Sequence, residues 1–135
     1  MVARIARHRA RRPSDWLLAE EPRDPAAALA ALPEGCLVLV DCLSLWVSNL
    51  LLAMPEDVDV DSAADDILER VRAFLGALRR HGDALVVSNE VGCGIVPVSR
   101  LGRLYQDILG WANQEAARSA DTVWHLVAGL PRRLK

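Results

Sequence analysis

Two apolar runs in this 135-residue chain stop on polar side chains able to meet a ligand. Cys36-Leu-Val-Leu-Val ends on Asp41, and Leu85-Val86-Val87-Ser88 ends on Asn89-Glu90, with Gly92, Gly94 and Pro97 just beyond. Short, continuous, β-branched runs suit strands buried on both faces of a parallel sheet. In open α/β sheets ligands bind at the carboxyl ends of such strands, so Asp41, Asn89 and Glu90 are candidates for a site edge. An acid placed like Asp41 holds Mg²⁺ in nucleotide-binding P-loop folds, and equally serves as a plain turn or cap residue. Asn89-Glu90 taken alone reads just as well as an ordinary polar turn.

The third candidate is His8. It stands among Arg4, Arg7, Arg9, Arg11 and Arg12, with no acid before Asp15. The segment reads as a transit peptide, as a basic arm for nucleic acid, or as a phosphate-binding segment with a histidine inside it. Composition alone favours a solvated basic tail. The helical spacing of Arg4, Ile5 and His8, with Trp16 soon after, favours docking onto a fold. A nucleic-acid role is the weakest of these, because the arginines are not interleaved with aromatics and the net charge is -2.

These residues need a scaffold, and the chain supplies an α/β pattern. Asp24 is placed to cap a short alanine-rich helix starting at Pro25, over residues 25–32. Residues 44–54 read as a helix with Leu45, Trp46, Leu50 and Ala53 on one face. Residues 62–80 form the longest expected helix, with Val60, Ala64, Ile67, Val71, Phe74 and Leu78 as its core stripe, Ser62 and Asp65 as a capping box, and His81-Gly82 as its stop. A further amphipathic helix covers 99–119, with Leu101, Leu104, Ile108, Trp111 and Ala112 inward. Residues 122–127 read as a third core strand holding a packed His125, and 129–134 as a short strand beside it. Strands alternating with helices predict an α/β fold, in one domain over residues 1–135. Three core strands are few for a sheet covered on both faces.

Composition narrows the class. Hydrophobic residues at 52% and charged residues at 25% describe a globular chain, and no apolar run is long enough to span a bilayer. Cys36, Cys42 and Cys93 have no metal-site spacing and no even count, so a reducing cytoplasm is the expected compartment.

The chain resembles the bifunctional adenosylcobinamide kinase / adenosylcobinamide-phosphate guanylyltransferase family of cobalamin biosynthesis. The resemblance is carried by Arg4-Ile5-x-x-His8-Arg9-x-x-Arg12-Pro13-x-x-Trp16, Glu20-Glu21-Pro22, Leu37-Val-Leu-Val-Asp41-Cys42 with Val47-Ser48-Asn49-Leu50-Leu51, and Val87-Ser88-Asn89-Glu90-Val91-Gly92-x-Gly94-Ile95-Val96-Pro97. Asn113-Gln114, Ala120-Asp121-x-Val123-Trp124 and Gly129 continue it, so it runs from Met1 to Lys135. It implies a P-loop NTPase-like (RecA-like), mostly parallel sheet flanked by helices. It also implies two reactions: phosphorylation of adenosylcobinamide by ATP or GTP, then transfer of GMP from GTP to adenosylcobinamide phosphate through a guanylylated histidine, which here is His8. By position in the family pattern Arg9, Ala10, Arg11, Arg12, Glu20 and Asp41 are GTP contacts, Asp41 also serves Mg²⁺, and Asn89 and Glu90 edge the site. The family further implies a homo-oligomer, a trimer, with neither nucleic acid nor a membrane span.

One departure is large. The family opens with a strand, a P-loop ending Gly-Lys-Ser, a helix and another strand, and no Gly-x-x-x-x-Gly-Lys-Ser/Thr sequence occurs in these residues. The expectation is an N-terminally truncated form of the fold, arising from a start placed too late or from a true truncation. Without the loop's phosphate-binding N–H groups, little kinase activity and weak GTP affinity are expected. The alternative reading is a catalytically impaired nucleotide-site remnant that acts as a binding or assembly partner.

Overall fold

The computed structural model describes residues 2–135, and their side chains except those of residues 2–5 and His8. In chain order the elements are α1 (Val2–Arg11), α2 (Pro25–Ala30), β1 (Val38–Asp41), α3 (Leu43–Leu52), α4 (Val60–His81), β2 (Ala84–Val87), α5 (Arg100–Ser119), β3 (Trp124–Val127) and β4 (Leu130–Arg133).

Helix boundaries follow local chemistry. Asp24 caps α2 by accepting from the Ala27 N–H at 3.1 Å. Helix α4 begins two residues earlier than the expected capping box: Asp59 accepts from the Ser62 N–H at 3.0 Å, which places Ser62 inside the first turn. An aspartate is a strong N-cap, and Asp59 takes the role from Ser62. The helix stops at Gly82, whose φ of 142° is open to glycine. Ser99 caps α5 through the Gly102 N–H at 3.0 Å.

The core is helical. Val47 of α3, Ile67 and Val71 of α4, and Ile108, Leu109 and Ala112 of α5 are fully buried against one another. Trp46 meets Phe74 edge-on, with ring centroids 5.3 Å apart, and locks α3 to α4. On α3 the inward face is Leu43, Ser44, Trp46, Val47, Leu50 and Leu51, while Leu45 and Ala53 face out, so the expected stripe was rotated. Leu101 and Trp111 of α5 are likewise partly exposed.

Strands β1 and β2 pair in parallel, from Val38 opposite Ala84 to Asp41 opposite Val87. The connection between them carries α3 and α4, as a parallel crossover requires. The strands are packed on one face only: Val38, Val40 and Val86 lie on the helical core, whereas Leu39, Leu85 and Val87 are exposed. Double-sided burial, inferred from the apolar runs, does not hold here. The expected third core strand also differs. Among the described residues β3 pairs with β4 alone, antiparallel, in a separate sheet. Ala128 (φ 51°) and Gly129 (φ 78°) form the two-residue turn that folds β4 back and uses β3's hydrogen-bonding groups locally. The hairpin docks through Lys135, whose Nζ donates to the carbonyls of Ala117, Arg118 and Ala120 at the end of α5, where a cation also suits the helix dipole.

Candidate functional site

Parallel pairing brings Asp41 and the Ser88–Glu90 segment to one sheet edge, since β1 and β2 end together. Helix α3 starts at the same edge immediately after Cys42, so its first N–H groups and the positive end of its dipole lie there too. Asp41 is exposed, as are Asn89 and Glu90.

A hydrogen-bonded network fixes this edge. The Ser44 hydroxyl, 1% exposed, accepts from Asn89 Nδ2 at 2.8 Å and lies 3.0 Å from Cys42 Sγ. The Tyr105 hydroxyl donates to the Ser44 carbonyl at 3.2 Å. Burial holds the Tyr105 phenol above its usual pKa; the neighbouring Cys42 acts in the same direction, and the Ser44 bond opposes it. Ser88 Oγ donates to Asn113 Oδ1 at 2.6 Å, and Asn113 Nδ2 donates to the Asn89 carbonyl at 3.1 Å. Beyond it, Gln106 Nε2 donates to the Val91 carbonyl at 3.1 Å, and Arg103 reaches the carbonyls of Pro97 and Val98 at 3.0 and 2.7 Å. Arg103, Gln106 and Asn113 sit three and seven residues apart, on one face of α5, and that face holds the two ends of the loop, Ser88–Val91 and Pro97–Val98. Glu90 Oε1 accepts from the Gly92 N–H at 2.9 Å, which closes the loop's first turn.

The basic segment forms a second group. Helix α1 carries His8, Arg9, Ala10 and Arg11; the His8 side chain lies outside the described residues. Arg9 faces Glu20 at 3.7 Å, with both side chains largely exposed. Next to Glu20, Glu21 Oε1 accepts from the N–H groups of Arg23 and Asp24 at 2.8 and 3.0 Å, which lowers its pKa. The same stretch is pinned to α3: Trp46 Nε1 donates to the Arg23 carbonyl at 3.0 Å and Asn49 Nδ2 to that of Pro22 at 3.3 Å. Thus Arg9 and Glu20 come together, Asp41 and Asn89-Glu90 come together, and α3 is attached to both groups. Ala10 and Arg11 are exposed and Arg12 is half-buried.

Among the described residues no group of three or more His, Cys, Asp and Glu side chains is placed to hold a metal ion. A lone exposed carboxylate such as Asp41 still fits Mg²⁺, which takes one or two protein carboxylates and completes its shell with substrate phosphates and water.

Sequence reasoning missed Ser44, Tyr105, Arg103 and Gln106. The signal for Ser44 was a hydroxyl within the apolar helix 44–54. That for the α5 residues was a polar row beside the apolar stripe.

Comparison with known proteins places this edge and the basic segment in one family. The profile of "Cobinamide kinase / cobinamide phosphate guanyltransferase" matches residues 1–134. The whole chain is 45% identical to the bifunctional adenosylcobalamin biosynthesis protein CobP of Pseudomonas aeruginosa, covering 75% of that protein. It is 36% and 34% identical to the bifunctional adenosylcobalamin biosynthesis proteins CobU of Salmonella typhimurium and Escherichia coli, covering 78% of each. With a profile match spanning both groups of candidate residues and full-length identity at this level, the chain belongs to the cobinamide kinase / cobinamide phosphate guanyltransferase family.

Proposed function

We propose that this chain transfers GMP from GTP to adenosylcobinamide phosphate through a guanylylated His8, within cobalamin biosynthesis, in the cytoplasm. The observation that carries the reading is the match over residues 1–134, which includes His8 with its arginines and the Asp41 and Asn89-Glu90 edge. Neutral imidazole, with an ordinary pKa of about 6.5, attacks the α-phosphorus of GTP. An N–P bond forms, the bond from the α-phosphorus to the bridging oxygen breaks, and pyrophosphate leaves. A phosphate oxygen of adenosylcobinamide phosphate then attacks the same phosphorus. The N–P bond breaks, its electron pair returns to the imidazole, and adenosylcobinamide-GDP is released.

Arg9, Arg11 and Arg12 neutralise developing phosphate charge. Glu20 accepts from the guanine N1–H and N2–H₂ edge; in the free protein its partner is Arg9. Asp41 would hold Mg²⁺, which would supply charge neutralisation there. The family's kinase step on the aminopropanol hydroxyl, with ATP or GTP as donor, is expected to be weak in this chain, since no P-loop sequence occurs in these residues. A homotrimer is the proposed assembly.

Supplied with GTP at millimolar concentration, Mg²⁺ and adenosylcobinamide phosphate, the purified chain is expected to yield adenosylcobinamide-GDP and pyrophosphate in equal amounts. Pyrophosphate release without the corrinoid product, or neither, overturns the assignment. The second reading, a nucleotide-site remnant that binds or assembles with a partner, is favoured by the uncovered apolar face of Leu39, Leu85 and Val87. It predicts complex formation without turnover.

A further inference from the structure

We propose that Ser44 is a positioning residue of this site: its buried hydroxyl fixes the carboxamide of Asn89, so that Asn89 Oδ1 is presented at the sheet edge as an acceptor for an N–H or O–H donor of the bound substrate. The inference rests on the transferase reading for its substrate and on the hydrogen-bond geometry for the rest.

Ser44 lies with Val47 and Leu51 at spacings of three and four, on the face of α3 that enters the core, and all three are buried. An alanine there would favour the helix more and would bury no polar atom. A buried hydroxyl is costly unless it is bonded. The bonds it makes therefore account for the serine, and they lead to the site: Asn89 Nδ2 at 2.8 Å and Cys42 Sγ at 3.0 Å.

Asn89 is exposed at the edge, yet it is held at two points. Asn113 takes its backbone carbonyl and Ser44 takes its amide nitrogen. With both fixed, the rotamer freedom that an exposed asparagine would lose on binding is already spent, and Oδ1 keeps one position relative to Asp41 on the neighbouring strand. The chain thus assigns three elements to the placement of one acceptor: α3 through Ser44, the loop after β2, and α5 through Asn113 and Tyr105.

The test uses the full 135-residue chain as Ser44→Ala, Asn89→Ala, the double variant, and Ser44→Thr, which keeps a hydroxyl. The first readout needs no substrate: the side-chain amide resonances of Asn89 in ¹⁵N–¹H spectra. Ser44→Ala is expected to shift them towards those of a solvated amide and Ser44→Thr to restore them; an unchanged Asn89 amide in Ser44→Ala overturns the proposal. The second readout is GMP transfer. Ser44→Ala is expected to lower kcat by about tenfold to a hundredfold, the loss typical of a reacting partner displaced by an ångström, with KM for GTP changed less than threefold. The double variant is expected to lose no more than the worse single one. Fully additive losses would mean that Ser44 acts only on general stability, and would overturn the proposal. If the wild-type chain transfers no GMP while the Asn89 amide still responds to Ser44, the transferase reading fails and the positioning of Asn89 stands.

Discussion

Removing the Asn113 side chain tests how α5 holds the loop that edges the site. Its carboxamide accepts from Ser88 at 2.6 Å and donates to the Asn89 carbonyl at 3.1 Å, so Asn113→Ala breaks both bonds at once. A net intramolecular hydrogen bond contributes about 0.5–1.5 kcal/mol; because the side chain is half-buried and water can replace part of what is lost, we expect about 1–2 kcal/mol. For a chain of this length that corresponds to a fall in Tm of roughly 3–8 °C. Calorimetry on the wild type, Asn113→Ala, Ser88→Ala and the double variant gives the number. Ser88→Ala, which breaks one bond, is expected to cost less, and the double variant is expected to match Asn113→Ala closely because the Ser88 bond is already gone. Asn113→Asp is expected to be worse than Asn113→Ala at neutral pH, since a carboxylate oxygen would face the Asn89 carbonyl. A Tm for Asn113→Ala within about 1 °C of the wild type would refute the claim that this side chain holds the loop.

Two further outcomes test the same scaffold. A Cβ on Gly102 would lie 2.7 Å from Pro97 Cβ and 2.9 Å from Ser99 Oγ, so Gly102→Ala is expected to push the Gly94–Pro97 loop aside; faster proteolytic cleavage within residues 91–98, with little change elsewhere, is the readout, and unchanged cleavage contradicts the close approach. Asp59 has its pKa lowered chiefly by the Ser62 N–H bond, so its stabilisation of α4 is complete above its unfolded value near pH 4 and is lost as pH falls through the lower folded value. Thermal melts of Asp59→Asn, which keeps a capping oxygen, are expected to show a shallower acid limb than the wild type, and coincident limbs contradict the cap assignment.

The order of elements was readable because each carried a local signal. Of the expected stripe Ala64, Ile67, Val71, Phe74 and Leu78 are buried and Val60, at the first position of α4, is exposed; Gly82 stops α4, Asp24 caps α2, and the run ending on Asp41 pairs in parallel with the run ending on Val87. What could not be read depended on partners distant in sequence. An apolar run such as Leu85-Val86-Val87 shows that its residues can be buried, not that something covers both faces, and here one face is open. Strand β3 looked like a core strand by composition, but Ala128-Gly129 at positive φ gives it a local antiparallel partner. The candidate site divides the same way. Asp41, Asn89 and Glu90 were visible as polar ends of apolar runs. Ser44, Tyr105, Arg103 and Gln106 act on residues 15 or more positions away, or on a loop whose path no local pattern specifies.

The central claim is that His8 carries the nucleotide. Incubation with α-labelled GTP and Mg²⁺, followed by denaturation and treatment with acid or base, measures it directly. The account predicts label bound to the protein, stable to base and released by acid as a phosphoramidate requires, mapped to the peptide holding His8 and absent in His8→Ala. Label that survives that substitution, or that base removes and acid does not, contradicts it.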